Sequence, residues 1–82
     1  SNTIPLSQLP IGQPARVVRV VHDQEEVRDY LAHLGMVPDA RVVVEEVGPY
    51  DGPVFLRVAD GEAQGLSPQV VCKVEVSPMQ SG

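Results

Sequence analysis

The segment from Asp23 to Ala40 constrains the fold most, because it has the start, the apolar spacing and the stop of one short helix. Asp23 is a favoured N-cap residue, and Glu26 three positions later makes a pair that resembles a capping box. Gly35 is placed to end the helix, since glycine takes a positive φ without steric cost, and Pro38 prevents its continuation. The apolar residues recur at helical spacing and predict one buried stripe, formed by Val27, Tyr30, Leu31 and Leu34.

The other apolar segments are short and valine-rich, and they predict strands. Their boundaries are Ala15–Val21, Ala40–Val47, Pro53–Ala59, Glu62–Leu66 and Cys72–Val76. Ser67 and Pro68 predict a turn that continues as one helical turn through Val71. Five short strands with tight turns favour a small closed barrel, because closure removes exposed edges. The predicted fold is therefore mostly β: an SH3-like barrel of about five strands, with one short helix between strands 1 and 2.

Composition limits the classes of function. The chain has 82 residues, so we expect one domain. Six basic residues against eleven acidic ones give a net charge of −5, and the basic residues are scattered along the sequence. Direct nucleic-acid binding is therefore disfavoured, because it requires clustered Lys and Arg. No apolar run approaches the roughly 20 residues that span a bilayer.

Cys72 is the single cysteine, so an internal disulfide is excluded and a reducing compartment is consistent with the sequence. Its alternation with Lys73 predicts an inward-facing, inert thiol. Ser1 and Asn2 resemble a cloning remnant, so the absence of a visible signal peptide says nothing about targeting. No motif that supports catalysis is present: Ser67 and Ser77 lack the context of a hydrolase nucleophile. We predict no catalytic residues and no enzymatic activity.

Four segments together resemble the FeoA-like domain. They are Leu6–Gly12 (LSQLPIG) before a valine strand, Leu31–Pro38 (LAHLGMVP) at the helix end, Gly48–Val54 (GPYDGPV) and Cys72–Val76 (CKVEV). The similarity covers nearly all of residues 5–77. Asp39 stands where the family usually has glycine, and Asp tolerates the turn conformation there. We expect residues 1–4 to be tag remnant and linker, 5–77 the FeoA/SH3-like domain, and 78–82 a polar tail.

The resemblance implies one of two functions in the cytoplasm. The helix segment Val27–Gly35 looks more like the domain that ends metal-dependent repressors of the diphtheria toxin repressor (DtxR) family. This favours a C-terminal regulatory domain of an iron- or manganese-dependent repressor, which modulates activation by contacts with other domains or a proline-containing linker. The alternative is a stand-alone accessory protein of ferrous iron transport, with the permease's cytoplasmic domain as its partner. Neither implies direct contact with nucleic acid or membrane.

His22, Asp23 and Glu26 are the candidate metal ligands, because they belong to the densest group of potential ligands, together with Glu25. The resemblance implies that some family members lend a Glu and a Gln, three residues apart, to an ancillary metal site. This chain lacks that pair, but His22 lies near the Gln position, and imidazole suits divalent transition metals. The metal would be iron or manganese, not tightly bound by the isolated domain. The alternative is an ordinary capped helix N-terminus.

Pro49, Tyr50 and Pro53 are the candidate contact residues for a peptide or another domain. Aromatic-lined grooves are the surfaces on which SH3-type domains hold proline-rich segments. The alternative is that these residues only pack the tip of a hairpin. His33 falls outside the apolar stripe and is expected on the helix surface.

Overall fold

The structure, a computed structural model, describes residues 2–80 of the chain. Its six strands form one antiparallel sheet in the order β1-β6-β2-β3-β4-β5. The strands are β1 Ile4–Pro5, β2 Ala15–Val20, β3 Arg41–Val47, β4 Val54–Val58, β5 Ala63–Leu66 and β6 Val74–Pro78. The helices are α1 Glu25–His33, the one-turn α2 Pro68–Val71, and a 3-10 turn at Leu6–Gln8. The predicted mostly β, SH3-like fold with a helix between the first two long strands is confirmed.

Hydrogen bonds do not close the sheet within residues 2–80, contrary to the predicted closure, because β1 and β5 are its two ends and do not pair. Both end strands lead directly into short helical turns, the 3-10 turn after β1 and α2 two residues after β5. These two turns lie against each other. Side-chain packing therefore covers the seam that backbone pairing leaves open.

The core is built from the inward face of each strand and from the helical turns. The predicted alternation of β4, with Val54, Leu56 and Val58 inward, is confirmed. Among residues 2–80, no polar or charged residue is buried. The buried apolar residues are Leu6, Leu9, Ala15, Val17, Leu31, Met36, Val42, Val44, Val54, Leu56, Val58, Leu66, Val71, Val74 and Val76. β-branched residues dominate this set, as expected for a small pleated sheet without large aromatic residues.

Helix α1 begins one residue later than the sequence predicts, and the predicted Asp23 cap is wrong. Gln24 occupies the N-cap position and makes no side-chain capping bond. The turn before the helix is instead held by the backbone N–H of Gln24, which donates to Nδ1 of His22 at 3.1 Å. Arg28 also donates to the backbone carbonyls of His22 and Asp23, at 2.5 and 3.0 Å. Glu25 and Glu26 still lie in the first turn, where they complement the helix dipole.

The apolar stripe of α1 is narrower than predicted. Leu31 is buried and Val27 and Leu34 are half-buried, but Tyr30 is exposed. Tyr30 lies roughly 60° around the helix axis from Val27, at the margin of the stripe, because each residue turns the helix by about 100°. The helix is therefore held against the core by Leu31, with Val27 and Leu34 packed beside it.

The end of α1 is as predicted. Gly35 has φ +97°. Its N–H donates to the carbonyl of Ala32 at 3.0 Å, and the N–H of Met36 donates to the carbonyl of Leu31 at 2.9 Å. This pair of bonds is a Schellman motif, in which the apolar residue after the glycine packs back on the last turn. Met36 is buried accordingly.

The prediction that Cys72 faces the core is wrong. α2 extends to Val71, and Cys72 is its exposed C-cap residue, whose thiol donates to the carbonyl of Gln69 at 3.2 Å. The N–H of Lys73 donates to the carbonyl of Val70 at 3.0 Å, so β6 begins only at the next residue. Val71 takes the buried position because the helical turn shifts the alternation by one residue.

The chain ends extend beyond the described residues. The predicted cloning remnant at Ser1 and the last part of the predicted tail, residues 81–82, lie outside the described range. The predicted division into linker, domain and tail stays a prediction. No helix among residues 2–80 is long and apolar enough to cross a bilayer.

Candidate functional site

The β3–β4 hairpin ends in a strained turn. Its four residues run from Pro49 to Gly52, and the N–H of Gly52 donates to the carbonyl of Pro49 at 3.0 Å. The two central residues, Tyr50 and Asp51, have φ values of +56° and +57°. Positive φ at both central positions is the signature of a type I′ turn, which normally contains Asn and Gly. A bulky aromatic residue in this conformation is strained.

The strained turn holds Tyr50 away from the protein, with its side chain 100% exposed. The alternative in which Tyr50 packs the hairpin tip is therefore wrong. Gly52 is required beneath it, because a Cβ there would lie 2.9 Å from the carbonyl oxygen of Pro49. Pro49 and Pro53 are exposed on either side of the turn. The predicted role of these residues in partner contact stays a prediction.

An open apolar cleft of about 230 Å³ lies beside this hairpin tip. It runs between the 3-10 turn, the β3–β4 hairpin and α2, and its lining residues are Leu6, Ser7, Leu9, Val44, Val47, Asp51, Gly52, Val54, Pro68 and Val71. Val47 is 48% exposed at its edge. Asp51 is the one charged residue of the lining. The cleft therefore suits an apolar segment that carries a basic group at one end.

The candidate metal ligands are placed close together in sequence but do not form a complete site. His22 is half-buried, and Asp23 and Glu26 are exposed. Nδ1 of His22 accepts the N–H of Gln24, which leaves Nε2 as the nitrogen available to a ligand. Nowhere in residues 2–80 do three or more His, Cys, Asp or Glu side chains gather so as to hold a metal ion. A metal role for these residues would thus need ligands from elsewhere, and it stays a prediction.

An ion pair that the sequence analysis missed connects β3 and β4 on the outer face of the sheet. Arg57 on β4 makes a two-pronged contact with Glu45 on β3, with Nε–Oε2 at 2.8 Å and Nη2–Oε1 at 3.2 Å. Its Nη1 also donates to the carbonyl of Gly61 at 2.7 Å, in the β4–β5 turn. The hydrogen bond from Arg57 lowers the pKa of Glu45, and the same bond raises the pKa of Arg57. The sequence did contain a signal for this ion pair, because it places residues of opposite charge at outward-facing positions of consecutive strands.

Comparison with known protein families decides the classification. The profile of the FeoA domain matches residues 4–78. This chain belongs to the FeoA domain family. The FeoA domain has the same fold as a solved iron uptake regulatory protein (FeoA), with 25% identity and a TM-score of 0.80, over 96% of this chain and 100% of that one. FeoA from Stenotrophomonas maltophilia, solved in complex with zinc, has 26% identity and a TM-score of 0.75, over 94% of this chain and 91% of that one.

The same fold also occurs within a larger regulator. A manganese-dependent transcriptional repressor, solved with manganese, aligns with a TM-score of 0.86 at 18% identity. The match covers 96% of this chain but 38% of the repressor, so the FeoA domain corresponds to one part of that protein. At this identity the likeness establishes the fold alone. A search of curated protein sequences finds no match.

Proposed function

We propose that this FeoA domain is the C-terminal regulatory domain of an iron- or manganese-dependent transcriptional repressor of the DtxR family, in the cytoplasm. It would be an interaction domain, not an enzyme. The observation that carries the proposal is the apolar cleft beside the strained, outward-facing Tyr50. The resemblance of Val27–Gly35 to the repressor version of the domain supports this choice between the two settings of the family, and the fold shared with a manganese-dependent repressor is compatible with it.

The proposed occupant of the cleft is a proline-containing segment of the same polypeptide with a basic residue at one end. A proline-rich segment has few N–H donors and little conformational entropy to lose, so an apolar cleft with few polar groups suits it. Asp51 at the rim supplies the matching negative charge. Tyr50, Pro49 and Pro53 would contact the face of the segment that points away from the cleft.

Such a contact regulates the repressor only if it differs between the active and inactive arrangements. Covering the exposed half of Val47 is worth about 1 kcal/mol, from the usual value for burying a valine side chain. An aromatic contact through Tyr50 adds a similar amount. Together they would shift a two-state equilibrium by about tenfold to thirtyfold, since about 1.4 kcal/mol corresponds to a factor of ten.

The decisive variant is Val47→Asp, which places a charge at the edge of the cleft. The matched control is Val21→Asp, because Val21 is similarly exposed, at 43% against 48%, and does not line the cleft. The probe is a synthetic peptide of the proline-containing segment that precedes this domain in the full-length protein, titrated by calorimetry. We expect Val47→Asp to weaken binding more than tenfold and Val21→Asp to leave it unchanged. Equal effects of the two variants would contradict the proposed cleft.

The native gene provides an independent test. A winged-helix segment encoded upstream would support the repressor assignment, whereas a start codon close to this position would contradict it. This outcome does not depend on the peptide titration, because it concerns which protein contains the domain and not which surface it uses.

The proposed contribution of His22, Asp23 and Glu26 to a divalent metal site requires ligands from another domain. His22 would supply Nε2, and the two carboxylates would supply oxygen ligands, a mixture that suits iron or manganese. NMR of the isolated domain during titration with manganese or cobalt tests this. Weak shifts confined to these residues, strengthened in the full-length protein, are expected. Unmoved signals at millimolar metal in both proteins would contradict it.

The second candidate is a stand-alone accessory protein of ferrous iron transport. The supporting observation is the 25% identity over the full length of the iron uptake regulatory protein, higher than the 18% identity to the repressor. A pull-down with the G-protein domain of a ferrous iron permease tests it. Retention of the wild-type domain on the permease domain, and failure to retain the Val47→Asp variant, would favour this candidate. If the wild-type domain is not retained, that partner is excluded.

A further inference from the structure

Two arginines face each other at close range on the outer surface of the sheet. Arg16 on β2 lies directly opposite Arg41 on β3. The next pair of residues is hydrogen-bonded, since the N–H of Val17 donates to the carbonyl of Ala40 at 2.8 Å. The arginine pair therefore occupies a non-hydrogen-bonded position, where Cα atoms of antiparallel strands approach to about 4.5 Å and side chains are closest. Like charges directly opposite each other in this way destabilise a sheet.

Neither arginine of this pair is neutralised by an ion pair within residues 2–80. Neither Arg16 nor Arg41 makes an ion pair or a side-chain hydrogen bond there, although both are exposed. The other three arginines are all engaged: Arg19 with Glu75, Arg57 with Glu45, and Arg28 with backbone carbonyls. In a chain of net charge −5, two facing arginines without ion-pair partners are an exception, and the packing of the sheet does not explain them.

A bulge in β2 brings more donors to the same face. The register shifts between Val17 and Arg19, so Arg16 and Arg19 both point outward although they are three residues apart. Ser77 on β6 lies directly opposite Arg16. A shallow cleft of about 400 Å³ lies beside these outward-facing residues. Its lining residues are Thr3, Arg16, Val17, Val18, Arg19, Pro38, Asp39 and Ser77. Hydroxyl and guanidinium donors thus share one concave surface, and Asp39 is its one acidic residue.

We propose that Arg16 and Arg41 form a docking site for an acidic segment of a protein partner, with a carboxylate bridging the two guanidinium groups. A bound carboxylate would relieve the repulsion between them, and guanidinium groups bind carboxylates in a two-pronged manner. Nucleic acid does not suit the site, because its affinity comes from neutralising many phosphates and two or three arginines neutralise few. The site shares no residue with the apolar cleft, so it is independent of the function proposed above.

A fluorescein-labelled hexaglutamate peptide, titrated into the domain at 50 mM NaCl and followed by anisotropy, tests the proposal. The variants are Arg16→Gln, Arg41→Gln and the double variant, and Lys73→Gln is the control that removes one exposed positive charge elsewhere. We expect each arginine variant to weaken binding about threefold to fivefold, the size of one exposed ion pair, and the double variant about tenfold or more. Lys73→Gln should change binding by less than twofold. Equal losses in all single variants would overturn the proposal, because they would reflect net charge alone.

A second measurement tests the repulsion itself. Arg41→Glu converts the facing pair to opposite charges, and we expect it to raise the midpoint of thermal unfolding by about 2–4 °C while abolishing peptide binding. A lowered midpoint would overturn the premise that the pair is unfavourable without a ligand. Inorganic phosphate at matched ionic strength distinguishes the source of the anion. Protection by phosphate without binding of hexaglutamate would overturn the choice of an acidic protein segment.

The apolar cleft and the arginine site can be tested independently, because a variant of one should not affect binding at the other. Val47→Asp should leave hexaglutamate binding unchanged, and the double arginine variant should leave binding of the proline-containing peptide unchanged. Loss of hexaglutamate binding in Val47→Asp would overturn the assignment of the site to Arg16 and Arg41.

Discussion

Replacing Tyr50 by glycine should stabilise the protein, although glycine substitutions usually destabilise. A residue with a Cβ in the left-handed region costs about 1–2 kcal/mol, and Tyr50 has φ +56°. Glycine removes that cost but adds about 0.5–1 kcal/mol of conformational entropy to the unfolded chain. Because the Tyr50 side chain is 100% exposed, its removal loses no buried area. The expected net gain in the free energy of unfolding is therefore about 0.5–1 kcal/mol.

The matched control is Tyr50→Ala, which removes the aromatic ring but keeps the Cβ in the same strained conformation. We expect its free energy of unfolding to stay within about 0.5 kcal/mol of wild type. Urea unfolding of wild type and the two variants, followed by circular dichroism, measures both differences in the free energy of unfolding. The m-values should be equal, because the surface newly exposed on unfolding is the same. If glycine and alanine destabilise equally, Tyr50 makes a contact in solution and the strain argument is refuted. If the glycine and alanine variants both lose partner binding, the exposed ring of Tyr50 contributes to that contact.

Three further changes test other parts of the structure. Leu31→Ala should lower the free energy of unfolding, measured in urea, by about 2–5 kcal/mol, because this fully buried side chain anchors helix α1. A loss below about 1 kcal/mol would contradict that anchoring. Gly65→Ala should cost about 1–2 kcal/mol, because a Cβ there would meet the ring of Phe55 at 3.0 Å, and it should cost less in a Phe55→Ala background. Arg57→Gln should destabilise more at neutral pH than in acid, where only its hydrogen bond to the carbonyl of Gly61 is still lost. Its ion pair lowers the pKa of Glu45 below 4.5, so the contribution is present above that pH and is lost as the pH falls through the folded-state pKa. A stability gap that stays constant from pH 7 to pH 2.5 would refute this.

Local patterns predicted the secondary structure where neighbouring residues decide it. The end of α1 at Gly35 followed from the conformational freedom of glycine, and the alternation of β4 followed from side-chain periodicity. Errors arose where a competing local contact decided the outcome. Asp23 does not cap the helix because Gln24 occupies the N-cap position, and Cys72 points outward because α2 continues to Val71.

The functional surfaces were less predictable because they depend on register and on distant segments. The Pro and Gly residues around Tyr50 predicted a turn at this position. Its exposure and strain depend on a turn type that the sequence Tyr-Asp does not favour. The apolar cleft joins Leu6 to Val71 across almost the whole chain. Predicting that Arg16 and Arg41 face each other requires the strand register and the position of the bulge. A one-residue slip of either strand would move its arginine to the other face of the sheet.

The two strands that end the sheet are its shortest, with two residues in β1 and four in β5. A foreign chain that approaches either edge finds few backbone groups to pair with, and the helical turns at the seam leave it no room to extend. Fibril growth through strand stacking therefore has almost no template on this domain. We expect concentrated samples to remain clear on long storage, even though the sheet is open.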